Sequence, residues 1–301
     1  MKRSSRRQFE VSDIAAFDDE ALRTFLDPCD GGVDACELGL ALQKMDSALQ
    51  HRVERILPDH AAQPFHNGLS MRCDGGALAR AQQHVLAVLY WPLVYWHEPD
   101  DYDALIHGEH IHPRLLDALD IEDRIVCDIG AGSGRFALRA AEVAAKVIAV
   151  DVTPQLLQRL QERARALGLA NVETRRGRFN ALPLETGSVD VAVACSSFTT
   201  SGPHGGARAL AEAERIVRPG GDVVVIWPQS VDWLRARGFT YLAVLGDRSV
   251  HFDDVATAER LCRRYYSDAA ADWVLEHRSS DVPFAVLGTR PPSDLCIKRI
   301  D

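Results

Sequence analysis

The chain has 301 residues, 47% of them hydrophobic and 26% charged, the balance of an ordinary soluble globular protein. That length suits one domain with a sizeable annex, or two domains, and the composition excludes a mainly disordered chain. Forty-three acidic against 34 basic side chains leave a net charge of −9, which argues against a nucleic-acid partner held by a broad cationic face.

Only four of the basic residues are lysine (Lys2, Lys44, Lys146, Lys298), a bias with no functional reading. No apolar run approaches the roughly 18 residues needed to span a bilayer. The opening MKRSSRRQFEVSDIAAFDDE is basic but lacks the apolar core of a secretory signal. Seven scattered cysteines with no CxxC pair fit a reducing compartment, so a cytoplasmic protein without a membrane partner is expected.

From residue 9 to about 90 the signals are helical. Asp18-Asp19-Glu20 places acids in the first turn of a helix running through Phe25. Leu38, Leu40, Ala41, Leu42, Met45 and Leu49 keep a 3.6-residue rhythm, Val53, Ile56 and Leu57 close it before Pro58, and LARAQQHVLAVL (78–89) makes a further helix. Pro28, Gly31-Gly32, Pro64, Gly68 and Gly75-Gly76 are read as loops between short helices. The texture changes near residues 90–110, and the expected division is 1–92, a small all-α domain, and 93–301.

After residue 120 strands and helices alternate. RIVCD (124–128), KVIAVD (146–151), NVETRRG (171–177), VDVAVACS (189–196) and DVVVIWP (222–228) read as strands, several of them the unbroken apolar runs of buried parallel strands. FALRAAEVAA (136–145), PQLLQRLQERARALG (154–168), GARALAEAERIV (206–217) and roughly 253–276 read as helices, with a late strand at VPFAVLG (282–288). The pattern predicts an α/β, Rossmann-like, doubly wound and mainly parallel sheet.

The informative loop is Asp128-Ile-Gly130-Ala-Gly132-Ser-Gly134-Arg135, where the first strand turns into a helix. Glycines there let the backbone turn tightly and a ligand approach closely. A dinucleotide fingerprint G-x-G-x-x-G would need its third glycine at position 135, which is arginine, and a P-loop would need a lysine. A nucleoside carrying a sulfonium amino acid fits better. Asp128 would face its ammonium, and Asp151, ending the second strand, would accept from the ribose hydroxyls.

These residues, with D-x-G-x-G-x-G and an acid 17 residues after Gly134, resemble the class I S-adenosylmethionine (SAM) methyltransferases. Gly177-Arg-Phe-Asn180-Ala-Leu-Pro183 is similar to the family's adenine-side loop, Ser188 to Ser196 to its fourth strand, and Arg215 to Gly221 to the turn before the fifth. The resemblance implies SAM as cofactor, S-adenosylhomocysteine (SAH) as product, and Asp128, Gly130, Gly132, Gly134, Asp151, Phe179, Asn180 and Ser196 around the cofactor. Asn180 stands where the family commonly has Asp. Its carbonyl still accepts from an adenine amino group.

Methyl transfer asks chiefly for positioning, with a base only where the acceptor carries a proton. His110 and His112, in the segment Ile106 to Pro113, and His204, past the fourth strand, are the candidate bases or acceptor contacts. No second cluster completes a metal site around Glu109, His110 and His112, so no metal is expected. Trp227, Trp233 and Tyr241 are candidate walls of an acceptor pocket. The Asn/Asp-Pro-Pro-Tyr signature of amino-methylating enzymes is missing after the fourth strand, which with the acidic charge favours a small-molecule acceptor.

The front end has its own resemblance. Phe9 to Leu26, Leu38 to Leu42, Leu49 to Leu57 and Ala79 to Leu86 are similar in order to the C-terminal helical domain of the flagellar rotor switch protein FliG, with Asp18, Asp19 and Arg23 matching its charged ridge. That implies either a module docking a protein partner through residues 9–90 or an annex shaping the acceptor site. A SAM-binding scaffold with little activity and a nicotinamide enzyme are the alternative functions.

Overall fold

The computed structural model describes residues 9–26, 33–200 and 205–301. After a 3-10 turn at Val11–Ala16 come helices α1 (Asp19–Phe25), α2 (Ala35–Leu42), α3 (Ser47–Ile56), α4 (Asp59–Ser70), α5 (Gly75–Val88), α6 (Tyr90–His97), α7 (Pro99–Gly108) and α8 (Pro113–Leu116). The aspartates start these helices. Asp18, Asp34, Asp46 and Asp74 each accept a backbone N–H of the first turn of α1, α2, α3 and α5.

Pro64 and Gly68, read as loop residues, lie inside α4. The reason is tertiary. α2 and α4 cross so closely that a Cβ on Gly68 would stand 2.0 Å from the Cys36 carbonyl oxygen, and one on Gly39 2.1 Å from that of Phe65. The division at 92/93 falls inside α6, whose Leu93 and Val94 are buried in the front-end core with Phe17, Phe25, Leu38 and Phe65.

The second half runs β1 (Ile125–Ile129), α9 (Ala137–Ala140), β2 (Lys146–Asp151), α10 (Pro154–Ala166), β3 (Val172–Arg176), β4 (Val189–Cys195), α11 (Gly206–Ile216), β5 (Val217–Ile226), α12 (Val231–Arg235), β6 (Thr240–Ala243), β7 (Ser249–His251), α13 (Val255–Leu261), α14 (Asp268–His277), β8 (Asp281–Pro283), α15 (Phe284–Leu287) and β9 (Asp294–Arg299). The seven-stranded sheet has the order β3-β2-β1-β4-β5-β9-β6, parallel from β3 to β5, with β9 antiparallel to both its neighbours.

Side chains alternate across the sheet, Cys127 and Ile129 into one core and Val126 into the other, which is why the central strands β1, β2 and β4 are mostly apolar. Among the described residues no helix is long and apolar enough to cross a membrane.

Three expected elements differ. The helix over 136–145 shrinks to α9, and Asn171 Nδ2 holds the carbonyls of Ala141 and Ala144 beyond it. The helix over 253–276 is broken by a π turn at Cys262–Tyr266, after which Ser267 caps α14. The late strand over 282–288 is the short β8, paired only with β7, followed by α15; the strands that finish the main sheet are β9 and β6.

Front end and sheet domain pack together. Val152, Tyr102 and Tyr265 lie against the helical core, and Arg176 at the end of β3 reaches Asp18 at 2.6 Å and Glu20 at 3.2 Å.

Candidate active site

The loops after β1, β2, β4 and β5 open on one cavity of about 450 Å³, a size suited to a small ligand. Its floor is the glycine loop. Asp128 is buried at the end of β1; one carboxylate oxygen accepts Ala137 N–H at 3.0 Å and the other is buried without a hydrogen-bond partner. Burial pushes this carboxyl up to about 7 against the lowering hydrogen bond from Ala137, and the charge of Asp151 adds to the rise.

Gly130 follows with φ +72°, where a Cβ would stand 2.7 Å from Ser197 Cβ and 2.8 Å from the Phe179 ring. Asp151 accepts Gly132 N–H at 2.9 Å and Thr153 N–H at 2.8 Å, so the acid at the end of β2 also shapes the loop.

The structure brings Asp128, Gly130, Asp151, Phe179 and Ser196 onto the cavity lining and leaves out Gly132, Gly134 and Asn180. At Gly134 a Cβ would instead meet Leu138 and Leu160 at 2.9 and 3.1 Å, so this glycine lets the helix pack on its neighbour. Ser196 and Trp227, which follow β4 and β5, both line the cavity in the left-handed region, with φ +57° and +56°. Strain of that kind concentrates at functional sites.

His110 and His112, the expected bases, stand off the cavity. Neither lines the cavity; His110 is exposed, and His112 caps α8 by accepting Arg114 N–H. Their buried neighbour Glu109 does line it, accepting from Arg135 at 2.5 Å and from the Tyr266 hydroxyl at 2.6 Å. Arg135 in turn lies 5.5 Å over Trp227. Trp227 is on the lining, whereas Trp233 sits under Arg237 and Tyr241 donates to Asp294 away from it. His204 lies outside the described residues. Among those residues no group of three His, Cys, Asp or Glu could hold a metal ion.

Much of the remaining wall was not read from the sequence: Thr24 and Phe25 from α1, Trp91 and Tyr95 from α6, Tyr102 from α7, and Tyr265 with Tyr266 from the π turn. The crowding of Tyr90, Trp91, Tyr95, Trp96 and Tyr102 into residues 90–102 was the available signal. The supposed charged ridge is tied inward, Asp18 to Arg176 and Asp19 to Arg52 and Arg55.

Residues 126–221, from β1 to the turn in β5, match the family model described as a methyltransferase domain. An uncharacterized protein of Mycobacterium tuberculosis is 38% identical over 115 residues, 38% of this chain and 41% of that protein. An uncharacterized methyltransferase of the same organism is 31% identical over 130 residues, 42% of this chain and 50% of that one. The chain thus spans half or less of the length of these curated relatives. A SAM-dependent methyltransferase from Aquifex aeolicus superposes with a TM-score of 0.37 at 24% identity, over 50% of this chain and 85% of that one.

Proposed function

We propose that the methyltransferase domain over residues 126–221 works as the core of a SAM-dependent methyltransferase acting on a small-molecule acceptor. The observation that carries the reading is the buried, unpartnered oxygen of Asp128 beside Gly130 and Asp151 in one cavity. A bare buried carboxylate oxygen calls for a donor, and an amino-acid ammonium is such a donor. When bound, SAM supplies a methyl carbon activated by positive sulfur and leaves as SAH.

The chain's residues then do the positioning. Asp128 receives the ammonium, Asp151 accepts from the ribose hydroxyls, and Phe179 with the close-packed Gly130 bounds the nucleoside end. Glu109, Arg135 and Tyr266 form a paired, buried cluster that holds the far wall in place. The helical front is read as part of the site. Thr24, Phe25, Trp91 and Tyr95 line the cavity, and the acids of the ridge are engaged within the chain, which favours the annex over a docking module.

Asp151→Ala tests the assignment. Losing a charged acceptor of two hydroxyls should weaken SAH binding about 100-fold by calorimetry, while thermal unfolding stays cooperative. Unchanged affinity overturns the site. Binding of a nicotinamide dinucleotide in place of SAH overturns the reaction class.

A further inference from the structure

We propose that the aromatic wall made by α6, α7 and the π turn is the acceptor subsite, and that it takes a flat, uncharged aromatic ring. Calling the occupant a methyl acceptor rests on the reading above; the preference of the wall for such a ring rests on the wall itself. Trp91 stands nearly parallel to Tyr265 (centroids 6.1 Å, 17°) and to Tyr95 (6.2 Å, 24°), and Tyr95 lies 4.6 Å from Tyr102. All four line the cavity, and Trp91 keeps 40% of its surface exposed. Aromatic surface that its stacked neighbours leave partly exposed at a cavity offers edge or offset contact to a planar guest.

The wall adjoins the cofactor loop, since the Tyr102 hydroxyl lies 3.5 Å from where a Cβ on Gly132 would stand. The cations nearest the wall are already paired. Glu109 accepts from Arg135 and Tyr266, Glu98 from Arg264 and Tyr265, and Arg290 at the rim pairs with Asp294. An anionic guest would shed its water beside arginines whose charge is already spent on Glu109, Glu98 and Asp294, whereas a neutral ring loses little.

Three probes of one shape separate flatness from charge: 2-naphthol (flat, neutral), 2-naphthoate (flat, anionic) and 2-decalol (puckered, neutral). Each is titrated calorimetrically into the full chain, with and without SAH. We expect 2-naphthol to bind about tenfold more tightly than either of the others. Trp91→Ala and Tyr265→Leu should each lower its affinity by about the same factor, and Trp91→Phe should restore most of it. SAH binding by the same variants reports on the fold.

Equal binding of 2-decalol, tighter binding of 2-naphthoate, no binding of 2-naphthol, or variants that leave its affinity unchanged while SAH still binds would each overturn the subsite. Failure of SAH to bind the unaltered chain, with the probe preference intact, instead sinks the methyl-transfer reading alone.

Discussion

Asp128 ends β1 with one carboxylate oxygen satisfied and the other bare, and burial raises its carboxyl to about 7. Between the ordinary value of 3.8 and about 7 the folded protein holds a proton that the unfolded chain has lost. This group's contribution to stability therefore falls as pH rises through that window. Ligand binding has the opposite sense. An ammonium needs the carboxylate, so SAH affinity should drop about tenfold from pH 8 to pH 6. Calorimetry at both pH values checks this, with proton release on binding at pH 6. Asp128→Asn should bind weakly at both and show no such release. A flat profile in the unaltered chain would separate Asp128 from the ammonium.

At the scale of elements, the crossing of α2 and α4 depends on the absence of two Cβ atoms. Gly68→Ala would press a methyl group on the Cys36 carbonyl and force the helices apart. The expected cost is about 2 kcal/mol, a fall in Tm of about 3 °C for a chain of this length unfolding as one unit. Gly75→Ala, with nothing within 4 Å of the added Cβ, should leave Tm unchanged or slightly higher. Equal melting of the two variants would mean that the crossing is looser than described.

The π turn at Cys262–Tyr266 has the opposite role. It interrupts what the apolar rhythm suggested was one helix, and both Tyr265 and Tyr266 line the cavity from it. Consecutive residues of a regular α-helix point about 100° apart, so a local departure helps two neighbours share one site. Their hydroxyls reach Glu98 and Glu109, which fastens this turn to both ends of α7.

For the whole molecule, the helical front and the sheet domain share packing at Val152, Tyr102 and Tyr265, ion pairs at Arg176, and one cavity. Scanning calorimetry should therefore show a single unfolding transition, moved upward as a unit by SAH. Two transitions, of which SAH shifts only the later, would mean that the front end is an independent module.

Most of the sheet was legible because buried parallel strands are written as local apolar runs, and β1, β2, β4 and β5 fall where those runs lie; β3, VETRR, is the half-buried exception at the sheet edge. The glycine loop was legible for a similar reason: Gly130 answers a constraint of its own backbone. What the sequence by itself determined is thus the α/β class, the helical character of the front end with acids opening α1, and the place of the glycine loop after β1.

The tertiary structure alone decided the rest. Whether 294–299 or 282–288 completes the sheet depends on an antiparallel partner distant in sequence. Whether a glycine or a proline sits in a loop or a helix depends on what packs against it, as at Gly68. That Glu109 lines the cavity while His110 and His112 do not depends on Arg135 and Tyr266, partners 26 and 157 residues away. Local spacing records backbone constraints; a cavity wall drawn from α1, α6, α7 and the π turn exists only once those segments meet.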